Sequence, residues 1–142
     1  MIVLVLLILT VLWLLQQTRQ PRELEEIKEK YKVLREHLKD TKNEKYHMLY
    51  RCIPITGLLK MSGSIGSNTN KGGEIVVCLD GNANEIFHVL IHELAHCTVK
   101  EYSHSDEFWE NYTELRDMCV ELGIYHKIPN KTKFCGQHIQ DK

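Results

Sequence analysis

The chain has 142 residues, 18 Lys+Arg against 19 Asp+Glu, a net charge of -1, 8 Gly and 3 Pro. That length suits one domain. The balanced charge excludes a protein that coats nucleic acid through a general basic excess, and the low Gly and Pro content excludes a collagenous or low-complexity chain.

Met1 to Leu15 carries no charged side chain and is almost wholly aliphatic, and Gln16, Gln17 and Thr18 extend the uncharged run to Arg19. As a helix, these eighteen residues span about 27 Å, slightly short of a hydrocarbon core of about 30 Å. Residues 1–18 are therefore expected to be a retained, single-pass N-terminal membrane anchor. A cleaved signal peptide is the competing reading, but it lacks a basic n-region and an A-x-A-like site. Arg19 and Arg22 follow the run, so the positive-inside rule places the body of the protein in the cytosol. The cysteines agree with this. Cys52, Cys78, Cys97, Cys119 and Cys135 are odd in number, widely spaced and without a CxxC pair. They read as reduced, mostly buried thiols rather than as a disulfide framework or a zinc ribbon.

Residues 19–45 form a charged linker helix. Pro21 suits its start. Leu24, Ile27, Tyr31, Leu34 and Leu38 recur at spacings of three and four among Lys, Arg and Glu. The narrow seam fits a helix packing one edge on the domain better than a coiled-coil handle of little more than two heptads.

Residues 46–125 are expected to be the globular domain and 126–142 a C-terminal tail. Ile53 to Leu59 suits a strand, with Pro54 at its start or on an edge. Gly63 to Gly73 is rich in Gly, Ser and Asn and reads as a loop or hairpin tip. Ile75 to Leu79 is a β-branched run ended by Asp80-Gly81-Asn82, a buried strand and a turn. Asn84 is then placed to cap a helix whose apolar positions are Ile86, Val89, Leu90, Leu94 and Cys97.

Inside that helix stands His92-Glu93-Leu94-Ala95-His96. Positions i and i+4 share a helix face, so both imidazoles can reach one ion at about 2.0–2.1 Å. Glu93 beside them can take a proton from water that zinc has acidified. HExxH on a helix is a zinc-hydrolase signature for this reason. A catalytic zinc needs a third protein ligand and an open position. His104 is the candidate, standing just before a second helix that Ser105 can cap, with Asp106 and Glu107 in its first turn. Glu110 or Glu114 on that helix are alternative ligands. His88, one turn before His92, is expected to pack or to support the site rather than bind. Asp106 can orient His104 or simply help start its helix. Tyr102 and Tyr112 can serve an oxyanion, though core or surface roles suit them better. Cys135 and His138 look incidental.

The run His92-Glu93-Leu94-Ala95-His96, then His104-Ser105-Asp106-Glu107-Phe108-Trp109, resembles the WLM-type metallopeptidases, relatives of the SprT/Spartan proteases. The likeness covers roughly residues 46–124 and is sharpest over 88–109. It implies an α+β zincin-like fold in which the HExxH helix packs on a short sheet, with one zinc on His92, His96 and His104 and Glu93 as general base. It implies peptide-bond hydrolysis, and hence a protein or peptide substrate. Nucleic acid enters as a partner through the resemblance alone. The expected protein is a membrane-anchored zinc metallopeptidase. The alternative is a catalytically silent, zinc-binding scaffold at a membrane.

Overall fold

The computed structural model describes residues 1–17 and 20–142, so Thr18 and Arg19, at the expected end of the apolar run, lie outside the described residues. Helix α1 (Ile2–Gln17) has 16 residues, none of them buried. It spans about 24 Å at the α-helical rise. Among the described residues no single helix is long and apolar enough to cross a membrane. The sequence expectation of a spanning anchor thus meets a helix that is uncharged throughout but short.

Helix α2 (Arg22–Asp40) starts directly after Pro21, with Glu23 and Glu25 in the first turn and Lys39 in the last, where each complements the helix dipole. Its seam of Leu24, Ile27, Tyr31, Leu34 and Leu38 is buried in the common core. The helix therefore packs as an integral part of the domain, not as a stalk. Tyr31 secures it: its hydroxyl accepts from the Ile53 amide at 3.1 Å and donates to the Arg51 carbonyl at 3.3 Å.

A single 3-10 turn (His47–Leu49) leads to a three-stranded sheet of β1 (Ile55–Leu58), β2 (Gly66–Thr69) and β3 (Glu74–Cys78), in the order β1-β3-β2. The β1–β3 pair is parallel and β2–β3 antiparallel, with Ile75 opposite both Ile55 and Asn68. Gly63 to Gly73, read as a loop or hairpin tip, holds the tip of the β2–β3 hairpin, and Gly66 to Thr69 adds a strand to it. Gly-Ser-Asn-Thr has little strand propensity, but pairing with the buried β3 supplies what the local sequence lacks. The turn back uses Asn70, Lys71 and Gly72, all at positive φ.

Helix α3 (Ala83–His96) is capped by Asn82, two residues before the expected Asn84. The Asn82 side chain accepts from the Glu85 amide at 2.9 Å, and Glu85 accepts from the Asn82 amide at 2.9 Å. This reciprocal capping box needs a Glu three residues on, which Asn82 has and Asn84 lacks. Asn84 instead pairs through both ends of its amide with the His126 backbone at 2.9 and 3.0 Å. Helix α4 (Asp106–Glu121) begins as expected, with Ser105 accepting from the Phe108 amide at 3.2 Å.

Residues 126–142, expected to be a tail, fold onto the domain. β4 (Thr132–Phe134) and β5 (Gln137–Ile139) form an antiparallel hairpin that buries Phe134 and Ile139. Gly81 makes room for it, since a Cβ there would lie 2.4 Å from the Phe134 ring. Cys135, in the hairpin turn, is disulfide-bonded to Cys78 at the end of β3. This overturns the reading of five reduced thiols: only Cys52, Cys97 and Cys119 are free. A sequence separation of 57 hides the pairing until the hairpin folds back across the sheet. Such a bond stabilises by about 2–4 kcal/mol. It also withdraws the cysteine argument for a cytosolic body, because disulfides persist mainly in oxidising compartments.

Candidate metal centre

The last two turns of α3 present His92 and His96 on one face, half-buried, with Glu93 buried between the helix and the sheet. His104 arrives from the connector between α3 and α4. Its Nε2 lies 3.1 Å from His92 Nε2 and 3.2 Å from His96 Nε2. Two ligands of a tetrahedral zinc at 2.0–2.1 Å stand about 3.3–3.4 Å apart, so the three nitrogens fit one such ion. They are also the one group of three or more His, Cys, Asp or Glu among the described residues that could hold a metal.

The rings are held by aromatic packing. Phe108, fully buried, lies against all three, with centroids 5.0 Å from His92, 4.5 Å from His96 and 4.8 Å from His104. Trp109 packs on His104 at 5.6 Å. The connector is tied down as well. Lys71, in the β2–β3 turn, donates to the carbonyls of His96 and Glu101 at 3.0 and 2.6 Å. Thr98 donates to the Ala95 carbonyl at 2.6 Å and accepts from the Asn111 amide at 2.9 Å.

Burial, then the neighbouring imidazoles, pull His92 down to about 3, and burial and His104 pull His96 down to about 4. Both rings are therefore neutral near pH 7, as a metal ligand must be. Burial pushes the Glu93 carboxyl up to about 7, where it can take and return a proton near neutrality. Gly66 in β2 lets the sheet close beside that carboxyl, since a Cβ there would stand 3.0 Å from Glu93 Oε1 and 2.6 Å from Val89. Asn68, also in β2, donates to the Glu93 carbonyl at 2.9 Å. The resulting cavity, about 310 Å³, is bordered by β2, Lys71, Tyr102 and the three histidines.

The WLM domain family matches residues 28–141. The chain belongs to this family. No curated protein and no solved structure matches it. WLM domains are a zinc metallopeptidase-like family. In this WLM domain the match takes in most of α2 and the C-terminal hairpin, well beyond residues 46–124, where the motif resemblance lies.

The alternative ligands lie elsewhere. Glu114 accepts from Lys45 at 2.8 Å and from the Tyr46 hydroxyl, and Glu110 is exposed on α4 outside the histidine group. Tyr102 is exposed beneath the Lys71 ammonium, 4.5 Å from its ring centroid. Tyr112 is a core residue. It and Tyr125 both donate to Asp141, Tyr112 at 2.6 Å, and the Ile128 amide donates to the same carboxylate at 2.7 Å. His88 joins them through Nδ1, 2.9 Å from the Tyr125 hydroxyl and 3.2 Å from that of Tyr112. Lys71, Gly66, Asn68 and Asp141 carry no motif, and the sequence offers no signal for them.

Burial alone would raise the Asp141 carboxyl, but hydrogen bonds from His88, Ile128, Tyr112 and Tyr125 outweigh it and hold the group well below the usual carboxylate range. A carboxyl depressed by folding stabilises above its unfolded value of about 3.9, and this contribution fades as pH falls through the folded value. The urea midpoint of the wild type is therefore expected to fall between pH 4 and pH 2 more steeply than that of Asp141→Asn. At pH 7 the variant should be less stable by about 1–3 kcal/mol. Parallel pH curves for the two proteins would contradict this assignment.

Proposed function

We propose that this WLM domain is a zinc-dependent metallopeptidase, with His92, His96 and His104 holding the ion and Glu93 acting as general base. The convergence of three imidazole nitrogens beside a buried carboxyl carries the reading. When bound, zinc supplies Lewis acidity toward the scissile carbonyl and makes water acidic near neutrality. Glu93 accepts the proton of the attacking water at a carboxylate oxygen, then returns it to the nitrogen of the leaving amine. β2, the edge strand bordering the cleft, offers its outer backbone to an extended peptide. His104 is exposed, so the site is open on its solvent side.

Helix α1 is read as the membrane-seating element, because sixteen uncharged, unburied residues gain by leaving water. Insertion into a locally thinned bilayer suits its short length.

The test uses the full chain in detergent, incubated with a pool of fluorogenic peptides. Chelation should abolish cleavage, and about one equivalent of zinc should restore it. A protein that binds one zinc and cleaves no peptide would be the silent scaffold instead.

A further inference from the structure

The cleft continues from the histidines toward the start of α3 as a second cavity of about 330 Å³, lined also by Ser64, Ile65 and Gln137. His88 and Val89 line it from α3. Gln137 lies two residues beyond Cys135, so the disulfide to Cys78 tethers that part of the lining.

His88 faces two ways. Its Nδ1 meets the hydroxyls of Tyr125 and Tyr112 in the interior. Each hydroxyl has one proton and donates it to Asp141, so toward His88 each can only accept. Asp141 Oδ1 also stands 3.5 Å from Nδ1, so the ring's proton sits on Nδ1, and the tautomer this selects leaves Nε2 as an acceptor. Nε2 has no hydrogen-bond partner among the described residues and is not sealed from solvent, and the ring borders the second cavity.

Resting on the peptidase reading, we propose that His88 determines specificity: its Nε2 accepts a hydrogen bond from an asparagine or glutamine carboxamide of the substrate, with Gln137 pairing the carboxamide's other end. The chemistry excludes the charged residues. A substrate carboxylate would meet the Nε2 lone pair and the Glu93 carboxyl. A substrate cation would find no carboxylate in the cavity except Glu93, which is committed to proton transfer. An apolar side chain would leave Nε2 without a donor, which costs affinity.

The experiment uses the zinc-loaded full chain, labelled with 15N-histidine, and two short peptide hydroxamates that differ only in glutamine or methionine beside the metal-binding group. The resting spectrum should show His88 protonated on Nδ1. The glutamine probe should move the Nε2 resonance and bind roughly tenfold tighter than the methionine probe, about one hydrogen bond's worth. His88→Asn keeps a donor where Nδ1 stood and removes the acceptor, so it should fold, bind zinc and lose the preference. A proton on Nε2, equal affinity for the two probes, or an unchanged preference in His88→Asn would each overturn the proposal. Discrimination between the probes by a wild type that cleaves no peptide would instead overturn the peptidase reading and leave the role of His88 standing.

Discussion

Glu93→Gln is expected to lower peptide turnover by about 10²–10⁴-fold, the range a positioned general base contributes, while zinc stays bound at one per chain. The substitution keeps the size and one oxygen of the side chain, so the fit beside Gly66 survives. What it removes is a proton acceptor. Glutamine cannot take the proton of the attacking water or hand it to the leaving amine. The zinc content is the control that makes the kinetics interpretable, because Glu93 is outside the three-histidine group. A variant that keeps more than about a tenth of wild-type kcat would remove Glu93 from the mechanism, since loss of a general base costs at least about 10²-fold. A variant that loses zinc would make Glu93 a ligand.

Much of this site is legible in the sequence because it is local. His92 and His96 are one helical turn apart, and the apolar positions around them define which face turns inward. The seam of α2 is legible for the same reason, and so is Ser105, a capping residue followed by two acids. What is not legible depends on contacts between distant segments. β2 is a strand only because β3 pairs with it. The hairpin has strands of three residues, too short to show a period, and a turn in which Cys135 as well as Gly136 takes positive φ. The disulfide and the Asp141 network both follow from that hairpin, so neither is legible while the segment reads as a tail. Asn82 differs from these, because its signal is local. Its capping box is legible from Glu85, three residues on, although Asn84 stands nearer the apolar run.

The disulfide also changes the argument about where the domain resides. Arg19 and Arg22 after an apolar helix favour a cytosolic body, whereas the Cys78–Cys135 bond favours an oxidising compartment. The charge rule applies only if α1 spans the membrane, and α1 is short for that. The disulfide depends on no such premise.

His104→Ala should weaken zinc binding by more than about 100-fold, beyond the 10–100-fold typical of losing an outer partner of a ligand. Sequence alone left this position open between His104, Glu110 and Glu114. The distances of 3.1 and 3.2 Å from His104 Nε2 to the other two imidazoles favour His104. The two carboxylates serve as controls. Glu110→Ala should leave affinity unchanged, and Glu114→Ala should free Lys45 and Tyr46 without touching the metal. Circular dichroism of His104→Ala should match the wild type without metal, because the ring is exposed and Phe108 remains packed on His92 and His96. Two imidazoles on one helix would still hold zinc weakly, so titration against a competing chelator is the measurement, not stoichiometry at high zinc. Wild-type affinity in His104→Ala together with lost affinity in Glu110→Ala would move the third ligand onto α4. That outcome would require the helix to rotate past Phe108, whose burial beneath all three rings is the strongest argument against it.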